Sequence, residues 1–403
     1  MKKETNSHPV ERKRIAVMGS TGSIGCQTLD IIEHYPELYK AEVLTANRNW
    51  EKLARQALQF RPSMVVIADE QFHAPLAETL RNTGIRVLAG DESLKVAATL
   101  PEVDIVIGAL VGYSGLPSTI EALEEGKTLA LANKETLVVG GEIIEKIVQR
   151  KGKRILPVDS EHSAIFQCLW GEEPESVSKI ILTASGGPFR KYTREQLQHV
   201  TVGQALAHPN WDMGAKVTID SATMMNKGFE MIEARWLFSK SPSDIEVVVH
   251  PESIVHSMVE FIDGSVKAQL GLPDMRLPIE VAISYPHRIN LRERLNSPRL
   301  NLMNTAALTF EKPDMDKFPL LKLAYEAAQT GGLVPALMNA ANEVAVRYFL
   351  ERKIGFTQIS GLVIKVVEDF SHQFNGLPVT LENIARTHKE GTEIALRTVN
   401  NID

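Results

Sequence analysis

Residues 14–32 read RIAVMGSTGSIGCQTLDII, and this stretch decides the fold of the first part of the chain. An apolar β-rich run leads into Gly19, Gly22 and Gly25, after which apolar side chains recur at helical spacing. Glycines between a strand and a helix let the backbone approach a pyrophosphate, whose charge meets the free N–H groups at the helix start. The stretch predicts a dinucleotide-binding turn. Its spacing is G-x-x-G-x-x-G rather than the standard G-x-G-x-x-G, so an ordinary glycine-rich turn is the alternative.

Around this turn, residues 14–158 alternate apolar runs with helical patterns, which is typical of a parallel α/β sheet. Seven runs qualify as strands, and most are apolar throughout, as strands covered on both faces should be. They are RIAVMG from Arg14, AEVLTAN from Ala41, MVVIAD from Met64, RVLAG from Arg86, DIVIGAL from Asp104, KTLALA from Lys127 and RILPVD from Arg154. The fold class expected is therefore α/β, with an N-terminal Rossmann-like parallel-sheet domain over residues 14–158.

The rest of the chain changes character twice. Residues 159–289 have longer polar connections and an Asp263-Gly264 pair that favours a two-residue hairpin, so we expect a central α+β catalytic domain. Residues 290–312 lack periodicity and predict a linker or crossing segment. Residues 313–403 carry apolar side chains at helical spacing and predict a structural C-terminal helical bundle. The charged and polar residues 1–13 are expected to be a disordered preamble.

The composition of the 403 residues, with 44% hydrophobic and 23% charged, is that of a soluble globular protein. The formal net charge is −6 and no long Lys or Arg run occurs, so we expect no nucleic-acid partner and no membrane surface. No uncharged apolar run reaches the ~18 residues of a membrane span, and no apolar signal segment follows the N-terminus. The two cysteines, Cys26 and Cys168, cannot build a disulfide scaffold, which favours a reducing cytoplasm.

The segment after the second predicted strand bears on the choice of cofactor. Ala46, Asn47 and Arg48 stand where an NAD enzyme usually carries a carboxylate for the ribose 2′-hydroxyl. An Arg can instead pair with a 2′-phosphate, which favours NADPH, and a solvated surface Arg is the alternative.

Polar side chains also follow the sixth predicted strand, at Asn133, Lys134 and Glu135. Ligands in open α/β sheets bind beyond the carboxyl ends of strands, so these side chains would face that crevice. Asn133 could also cap the following helix, and the two roles are compatible.

Two carboxylates, Asp159 and Glu161, emerge where the seventh predicted strand ends. Hard cations such as Mg²⁺ or Mn²⁺ prefer such oxygen ligands, although capping of the next helix is the alternative. If residues 220–230 are helical, Asn226, Lys227 and Glu230 share one face. That face could hold a phosphate or sugar oxygen and supply a third metal carboxylate, whereas a solvated, salt-bridged face is the alternative.

Two loops suggest anion binding and closure over a ligand. Residues 183–189, TASGGPF, resemble a backbone nest for phosphate. Residues 208–214, HPNWDMG, place a Trp and a Met between a Pro and a Gly and could form a mobile lid, or a plain surface loop. His250 and His256 could also contact substrate, or only stabilise a turn, and both rank behind His208 as candidates.

Taken in order, the segments GSTGSIG, LANKE, PVDSEHSA, SGGPFR, HPNWDMG, DSATMMNKGFE, HPESIVHSMV and LGLPDMR resemble the 1-deoxy-D-xylulose 5-phosphate reductoisomerase family. The resemblance covers the chain from Arg14 to the helical tail. It implies a homodimer with NADPH-binding, catalytic and C-terminal helical domains. The implied reaction converts a sugar phosphate, 1-deoxy-D-xylulose 5-phosphate, to 2-C-methyl-D-erythritol 4-phosphate by skeletal rearrangement and hydride transfer from NADPH, in the non-mevalonate isoprenoid pathway.

The resemblance also implies roles for individual residues. Mg²⁺, Mn²⁺ or Co²⁺ would be bound by Asp159, Glu161 and Glu230. The substrate would be held by Ser160, Glu161, Ser185, His208, Trp211, Met213, Ser221, Asn226, Lys227 and Glu230. The predicted NADPH contacts are Thr21, Gly22, Ser23, Ile24, Ala46, Asn47, Arg48, Asn133, Lys134, Glu135 and Gly214. We predict that catalysis depends on Lys134, Glu161, His208 and Glu230.

Two other functions remain open from the sequence. One is an NADPH-dependent dehydrogenase that acts on a phosphorylated or acidic substrate without skeletal rearrangement. The other is a non-catalytic dinucleotide sensor whose helical tail binds partners, which would not need three converging carboxylates.

Overall fold

The computed structural model describes residues 12–211, 213–305 and 307–401. The predicted disordered preamble therefore lies almost wholly outside the described residues, and Lys13 already belongs to the first strand. The strands are β1 (Lys13–Met18), β2 (Tyr39–Ala46), β3 (Met64–Ile67), β4 (Arg86–Ala89), β5 (Ile105–Gly108), β6 (Thr128–Leu131), β7 (Ile155–Pro157), β8 (Val177–Ala184), β9 (Ile245–Val249), β10 (Val255–Phe261) and β11 (Val266–Leu270).

The α-helices of the N-terminal part are α1 (Ser23–His34), α2 (Trp50–Phe60), α3 (His73–Thr79), α4 (Asp91–Thr99), α5 (Leu116–Glu124) and α6 (Lys134–Lys151). The central part contains α7 (Ser160–Cys168), α8 (Arg194–Leu197), α9 (Val202–Ala205), α10 (Ala215–Ala222), α11 (Met225–Leu237), α12 (Arg276–Ser284) and α13 (Leu291–Leu295). The C-terminal helices are α14 (Pro319–Thr330), α15 (Val334–Leu350), α16 (Phe356–Phe370) and α17 (Leu381–Thr398). Among the described residues, no helix combines the length and apolar character needed to cross a bilayer.

The seven predicted N-terminal strands are confirmed, and they form one parallel sheet in the order β4-β3-β2-β1-β5-β6-β7. The chain builds outwards from β1 to β4 and then returns to the other side of β1 with β5. The order of strands reverses at this point, so the connections after β1 and β5 leave a crevice at the carboxyl ends of the strands. The glycine-rich turn after β1 lies at that crevice.

Alternation along the strands divides the sheet's apolar side chains between two cores, because successive residues of a strand point to opposite faces. Ile15 and Val17 belong to a core that contains α1 and α2, whereas Ala16 and Met18 belong to one that extends to α6, the second sheet and the C-terminal helices. Burial on both faces explains why these strands are apolar throughout.

The central region forms a mixed sheet in the order β11-β10-β8-β9, in which only β8 and β9 are parallel. The predicted hairpin between β10 and β11 is confirmed, but its loop has three residues rather than two. Phe261 N–H donates to Ser265 O at 2.9 Å, and Gly264 between them has φ +81°. A glycine in this conformation allows the extra residue, as in a three-residue hairpin with a bulge.

The C-terminal region is helical, as predicted. Helix α15 is buried along most of its length and packs against α14, α16 and α17 within the bundle, and against α6 and α10 outside it. Helix α11 packs between α6 and α14. The bundle therefore packs against α6, α10 and α11 on the side away from the crevice.

The segment predicted as a linker crosses back to the first sheet before it enters the bundle. Leu291 and Leu295 of α13, together with Ile283 of α12, are buried in the core of α1 and α2. Lys13 Nζ donates to Ile283 O at 2.9 Å. Further along, Glu311 pairs with Val249 at the end of β9. The residues from α12 onward therefore touch the first sheet, then the second sheet, and then the bundle.

Candidate functional site

A cavity of about 270 Å³ opens at the carboxyl ends of the parallel strands, where the first sheet faces the second. Its size and position are those expected of a small-molecule site at the switch point of an α/β sheet. The structure brings most of the predicted site residues together here. Those that line the cavity are Gly22, Ser23, Ile24, Asn133, Lys134, Glu135, Asp159, Ser160, Glu161, Ser185, His208, Trp211, Met213, Gly214, Ser221, Asn226, Lys227 and Glu230.

Three carboxylates converge at the floor of the cavity. Asp159 precedes α7, Glu161 lies in the first turn of that helix, and Glu230 lies on α11. One oxygen of each lies within 4.8 Å of the others. Asp159 does not cap α7 with its side chain, so the helix-capping alternative is wrong for this residue. Three oxygens at this spacing match the ligands that Mg²⁺ and Mn²⁺ prefer, so the residues fit a hard divalent cation.

Two lysines accompany these carboxylates. Lys134 Nζ forms ion pairs with Asp159 and, at 2.9 Å, with Glu230. Lys227 Nζ pairs with Glu161 at 2.7 Å and with Glu230. Burial acts to raise the pKa of Asp159, but Lys134 and His162 together hold that pKa below its ordinary value. Two ammonium groups do not balance three carboxylates, so the cluster retains negative charge that favours a cation.

Behind the carboxylates lies a buried His162–Glu233 pair that the sequence analysis did not assign. His162 Nε2 lies 2.8 Å from Glu230 O, and His162 Nδ1 lies 3.4 Å from Glu233 Oε2. Burial disfavours the imidazolium, but Glu233, Asp159 and Glu230 together raise the pKa of His162 above its ordinary value. Helical spacing held a signal for this pair, because His162 follows Asp159 by three residues and Glu233 follows Glu230 by three.

The loop after β8 is the segment predicted to bind an anion, and two glycines shape it. Gly186 and Gly187 have φ values of +80° and +67°, and Gly187 N–H donates to Ser185 Oγ at 3.2 Å. A Cβ at Gly187 would lie 2.9 Å from Ser221 O, so this loop closely approaches the end of α10. Ser185 and Ser221 therefore face the same part of the cavity as Asn226.

The protonation of His208 follows from its hydrogen bonds. Backbone N–H groups of Asn210 and Trp211 donate to His208 Nδ1 at 3.2 and 3.0 Å. Because Nδ1 is an acceptor, the proton lies on Nε2, which donates to Ser185 Oγ at 3.0 Å. Burial lowers the pKa of His208, which favours this neutral form. The Ser185 hydroxyl also accepts from Gly187 N–H, so its own proton is available to an anion in the cavity.

The predicted lid lies across one side of the cavity. Asn210 Nδ2 donates to Pro251 O and to Ser253 Oγ, both at 2.8 Å. The rings of Trp211 and His256 lie 6.0 Å apart. Asp212 lies outside the described residues, and mobility of the segment stays a prediction.

The opposite wall has the features that a pyrophosphate requires. Gly22 precedes α1 with no side-chain cap, so the first N–H groups of this helix face the cavity. Gly25 packs against the backbone of Gly19 and Ser20 so closely that a Cβ would overlap it. Asn133 caps α6, accepting from Thr136 N–H at 2.9 Å, and also lines the cavity, so both of its expected roles hold together.

Four predicted cofactor residues do not line the cavity: Thr21, Ala46, Asn47 and Arg48. Thr21 lies within the glycine-rich turn after β1, and the other three residues lie at the end of β2. Arg48 is largely exposed, and its Nε lies 3.0 Å from Asp69 Oδ2 after β3. Neighbours of the cavity that the sequence analysis left unassigned include Ser253, Met275, Val217 and the segment from Ala109 to Val111.

Comparison with known proteins gives a consistent result along the chain. Residues 15–141 match the family model described as 1-deoxy-D-xylulose 5-phosphate reductoisomerase. Residues 155–238 match the model of that enzyme's C-terminal domain, and residues 270–394 match a model described as DXP reductoisomerase C-terminal domain.

Individual relatives carry the same description. The 1-deoxy-D-xylulose 5-phosphate reductoisomerase of Porphyromonas gingivalis is 54% identical over 381 residues, which cover 94% of this chain and 97% of the relative. The Zymomonas mobilis enzyme in complex with NADPH superposes with a TM-score of 0.90 at 41% identity, over 97% of this chain and 100% of the other. A DOX-P reductoisomerase in complex with NADPH, fosmidomycin and magnesium gives a TM-score of 0.92 at 40% identity, over 96% and 98% of the two chains.

Proposed function

Because the chain belongs to the 1-deoxy-D-xylulose 5-phosphate reductoisomerase family, we propose that the cavity at the carboxyl ends of the parallel strands is the active site for that family's reaction. The enzyme converts 1-deoxy-D-xylulose 5-phosphate to 2-C-methyl-D-erythritol 4-phosphate with NADPH and a divalent metal, in the isoprenoid precursor pathway. The assignment of individual residues is our proposal. The observation that carries it is the convergence of three carboxylates with the anion-binding loop and the free N-terminus of α1 in one cavity.

Asp159, Glu161 and Glu230 are the proposed metal ligands. Their oxygens suit Mg²⁺, which a related structure contains, and the same ligands suit Mn²⁺ or Co²⁺. A divalent metal held by these residues would supply Lewis acidity for the rearrangement. Lys134 and Lys227 hold two ammonium groups against these carboxylates, beside the proposed position of the substrate. There they would help to stabilise negative charge that develops on the substrate during rearrangement.

The substrate phosphate is proposed to bind between the loop after β8 and the two helices that face it. Ser185 and Ser221 offer hydroxyl groups, and Asn226 and Lys227 offer donors from α11. His208, neutral and hydrogen-bonded to Ser185, fixes the orientation of that hydroxyl. Ser160, beside Glu161, faces the position of the sugar backbone.

NADPH is proposed to lie along the opposite wall. Its pyrophosphate would meet Gly22, Ser23 and Ile24 at the start of α1, and its nicotinamide would extend towards Asn133–Glu135 and Gly214. Thr21, in the same glycine-rich turn, is expected beside the pyrophosphate. Ala46, Asn47 and Arg48 are then expected beyond the cavity, near the adenosine 2′-phosphate. Trp211 and Met213 would cover the substrate, so that fragments stay together and the hydride meets an aldehyde away from water.

The reaction can be tested by the loss of NADPH absorbance on addition of the substrate with Mg²⁺ or Mn²⁺. The assay is repeated with a chelator and with NADH, and the product is identified. We expect turnover that requires the metal, prefers NADPH and gives methylerythritol phosphate. A reduced product with an unrearranged skeleton would instead support the simpler dehydrogenase.

The metal assignment has its own test. Glu230→Gln keeps the size of the side chain but removes a charged ligand, so we expect turnover to be lost while NADPH binding is retained. Glu142→Gln, on the exposed face of α6, is the matched control and should keep full activity. A Glu230→Gln enzyme with near-normal turnover would remove Glu230 from the metal site.

We also propose that the enzyme is a homodimer in the cytoplasm. Within the described chain, β11 is an edge strand that pairs only with β10, and Val266 on it is about half exposed. An exposed strand edge with apolar side chains favours pairing with another chain. The two cysteines are both free, which suits a reducing compartment. Light scattering should give about twice the chain mass of 44.6 kDa, and a monomeric mass would contradict the dimer.

A further inference from the structure

A partly buried lysine outside the predicted site joins three regions of the chain. Lys216 Nζ lies 2.5 Å from Glu135 Oε1 and 2.9 Å from Asp220 Oδ2. Asn342 Nδ2 of α15 donates to the other oxygen of Asp220 at 2.8 Å. The ammonium group also lies 5.0 Å from the centre of the buried Phe229 ring. The side chains of Glu135 and Asp220 are 7% and 2% exposed and that of Lys216 is 17% exposed, so most of this network is shielded from solvent.

The position of Glu135 gives this network a role beyond packing. Glu135 lies in the first turn of α6 and lines the cavity on the proposed nicotinamide side. Its Oε1 accepts from Lys216, while its Oε2 lies 3.4 Å from Asn133 Nδ2. Both oxygens of the Glu135 carboxylate are therefore oriented by hydrogen bonds from neighbouring side chains.

Helix α10 carries Lys216 between two parts of the same cavity. Gly214, just before α10, lines the cavity on the cofactor side, and Ser221 near its end lines the proposed phosphate site. A shift of Lys216 relative to Glu135 therefore moves the start of α10 relative to the cofactor wall.

An ion pair buried in this way is a poor means of adding stability, because desolvation cancels much of the attraction. Its effect is greatest on geometry, since a cavity-lining carboxylate left without its cation would turn away or take up a proton. We infer that Lys216 is a positioning residue for the reaction: it fixes the Glu135 carboxylate in the cofactor site and ties it to α10. This inference rests on the proposed placement of NADPH in the cavity.

The test measures NADPH affinity directly, by fluorescence titration without substrate. Lys216→Met preserves the length of the side chain and removes its charge, and we expect the Kd for NADPH to rise about tenfold. Lys216→Arg, which keeps the charge, should recover part of the affinity. Lys146→Met is the matched control, because Lys146 pairs with Glu142 at 2.6 Å on the outer face of α6, the helix that carries Glu135.

A double-mutant cycle separates positioning from a structural role. If Lys216 acts through Glu135, the Kd of Lys216→Met/Glu135→Gln should match that of Glu135→Gln alone. The inference would be overturned if the fold-changes in Kd of the two single variants multiplied in the double variant. It would also be overturned if Lys216→Met had an unchanged Kd and only a lower melting temperature. Should Lys216→Met not fold, Lys216→Gln takes its place in the same cycle.

Failure of the inference can be told apart from failure of the proposed function. If the wild-type enzyme binds NADPH and turns over the substrate while the cycle shows no coupling, only the role of Lys216 is wrong. If the wild-type enzyme does not bind NADPH, the placement of the cofactor is wrong and the role of Lys216 falls with it.

Discussion

Substitution of Gly187 tests how closely the loop after β8, the proposed phosphate-binding loop, must approach helix α10. Gly187 has φ +67°, a conformation that costs a residue with a Cβ about 1–2 kcal/mol. A Cβ at this position would lie 2.9 Å from Ser221 O and 3.2 Å from Ala222 Cα. Both are backbone atoms, so no side-chain rotation relieves the overlap, and moving them adds about 1–3 kcal/mol. Gly187→Ala should therefore lower the free energy of unfolding by about 2–5 kcal/mol.

The matched control is Gly264→Ala in the β10–β11 hairpin. Gly264 has φ +81°, and a Cβ there meets no atom within 4 Å, so this variant carries the conformational cost alone. Urea denaturation measures the stability of both variants, and steady-state kinetics measures their KM for the substrate. We expect only Gly187→Ala to raise KM, because the overlap separates Ser185 from Ser221. Equal losses of stability with an unchanged KM would show that the close approach has no energetic consequence.

Three further predictions concern the cofactor wall and the lid. Asn133→Ala removes the cap of α6 and the donor to Leu110 O, so the free energy of unfolding should fall by about 1 kcal/mol or more. The Kd for NADPH should also rise in a fluorescence titration, and an unchanged Kd would contradict this second effect. Burial lowers the pKa of His208 in the folded protein, so the unfolded chain binds more protons as the pH falls through ~6.5, the ordinary pKa of histidine. The wild type should therefore lose more stability than His208→Gln between about pH 7.5 and about pH 5. Parallel pH profiles in thermal unfolding would refute this. Asp69→Asn removes the carboxylate that pairs with Arg48, so the preference for NADPH over NADH should increase in kinetic assays, and a weaker preference would place Arg48 away from the 2′-phosphate.

The parts of the fold that were predictable are those whose signal is local. Each strand of the first sheet is an apolar run that needs no knowledge of its neighbours, and the Asp263-Gly264 pair marks its own turn. The loop length of that hairpin was not predictable, since the hydrogen bond between Phe261 and Ser265 depends on the register of the two strands. The return of α12 and α13 to the first sheet also left no local signal, because it depends on contacts more than 250 residues apart in the chain, such as that between Tyr35 and Asn290.

The same distinction applies to the site. Asp159, Glu161 and Glu230 could be proposed because strand ends and helical spacing place them on surfaces that face a crevice. The pairing of Lys216 with Glu135 could not, because it joins residues 81 positions apart across two helices. Arg48 shows the reverse case: its position in the sequence fits a 2′-phosphate, but only the structure shows the competing carboxylate of Asp69.

The return of α12 and α13 to the first sheet bears on how such a protein can recombine with its relatives. A chimera that takes residues 1–158 from a relative would combine the relative's α1 with this chain's α12 and α13. Ile283, Leu291 and Leu295 of those helices fill the same core as α1. The exchangeable unit is therefore discontinuous and must include residues 276–295 together with the N-terminal part. Met275, which precedes α12 and lines the cavity, would be inherited with that unit or close to its edge. Chimeras cut at residue 158 alone should be less stable than chimeras that also carry the second segment.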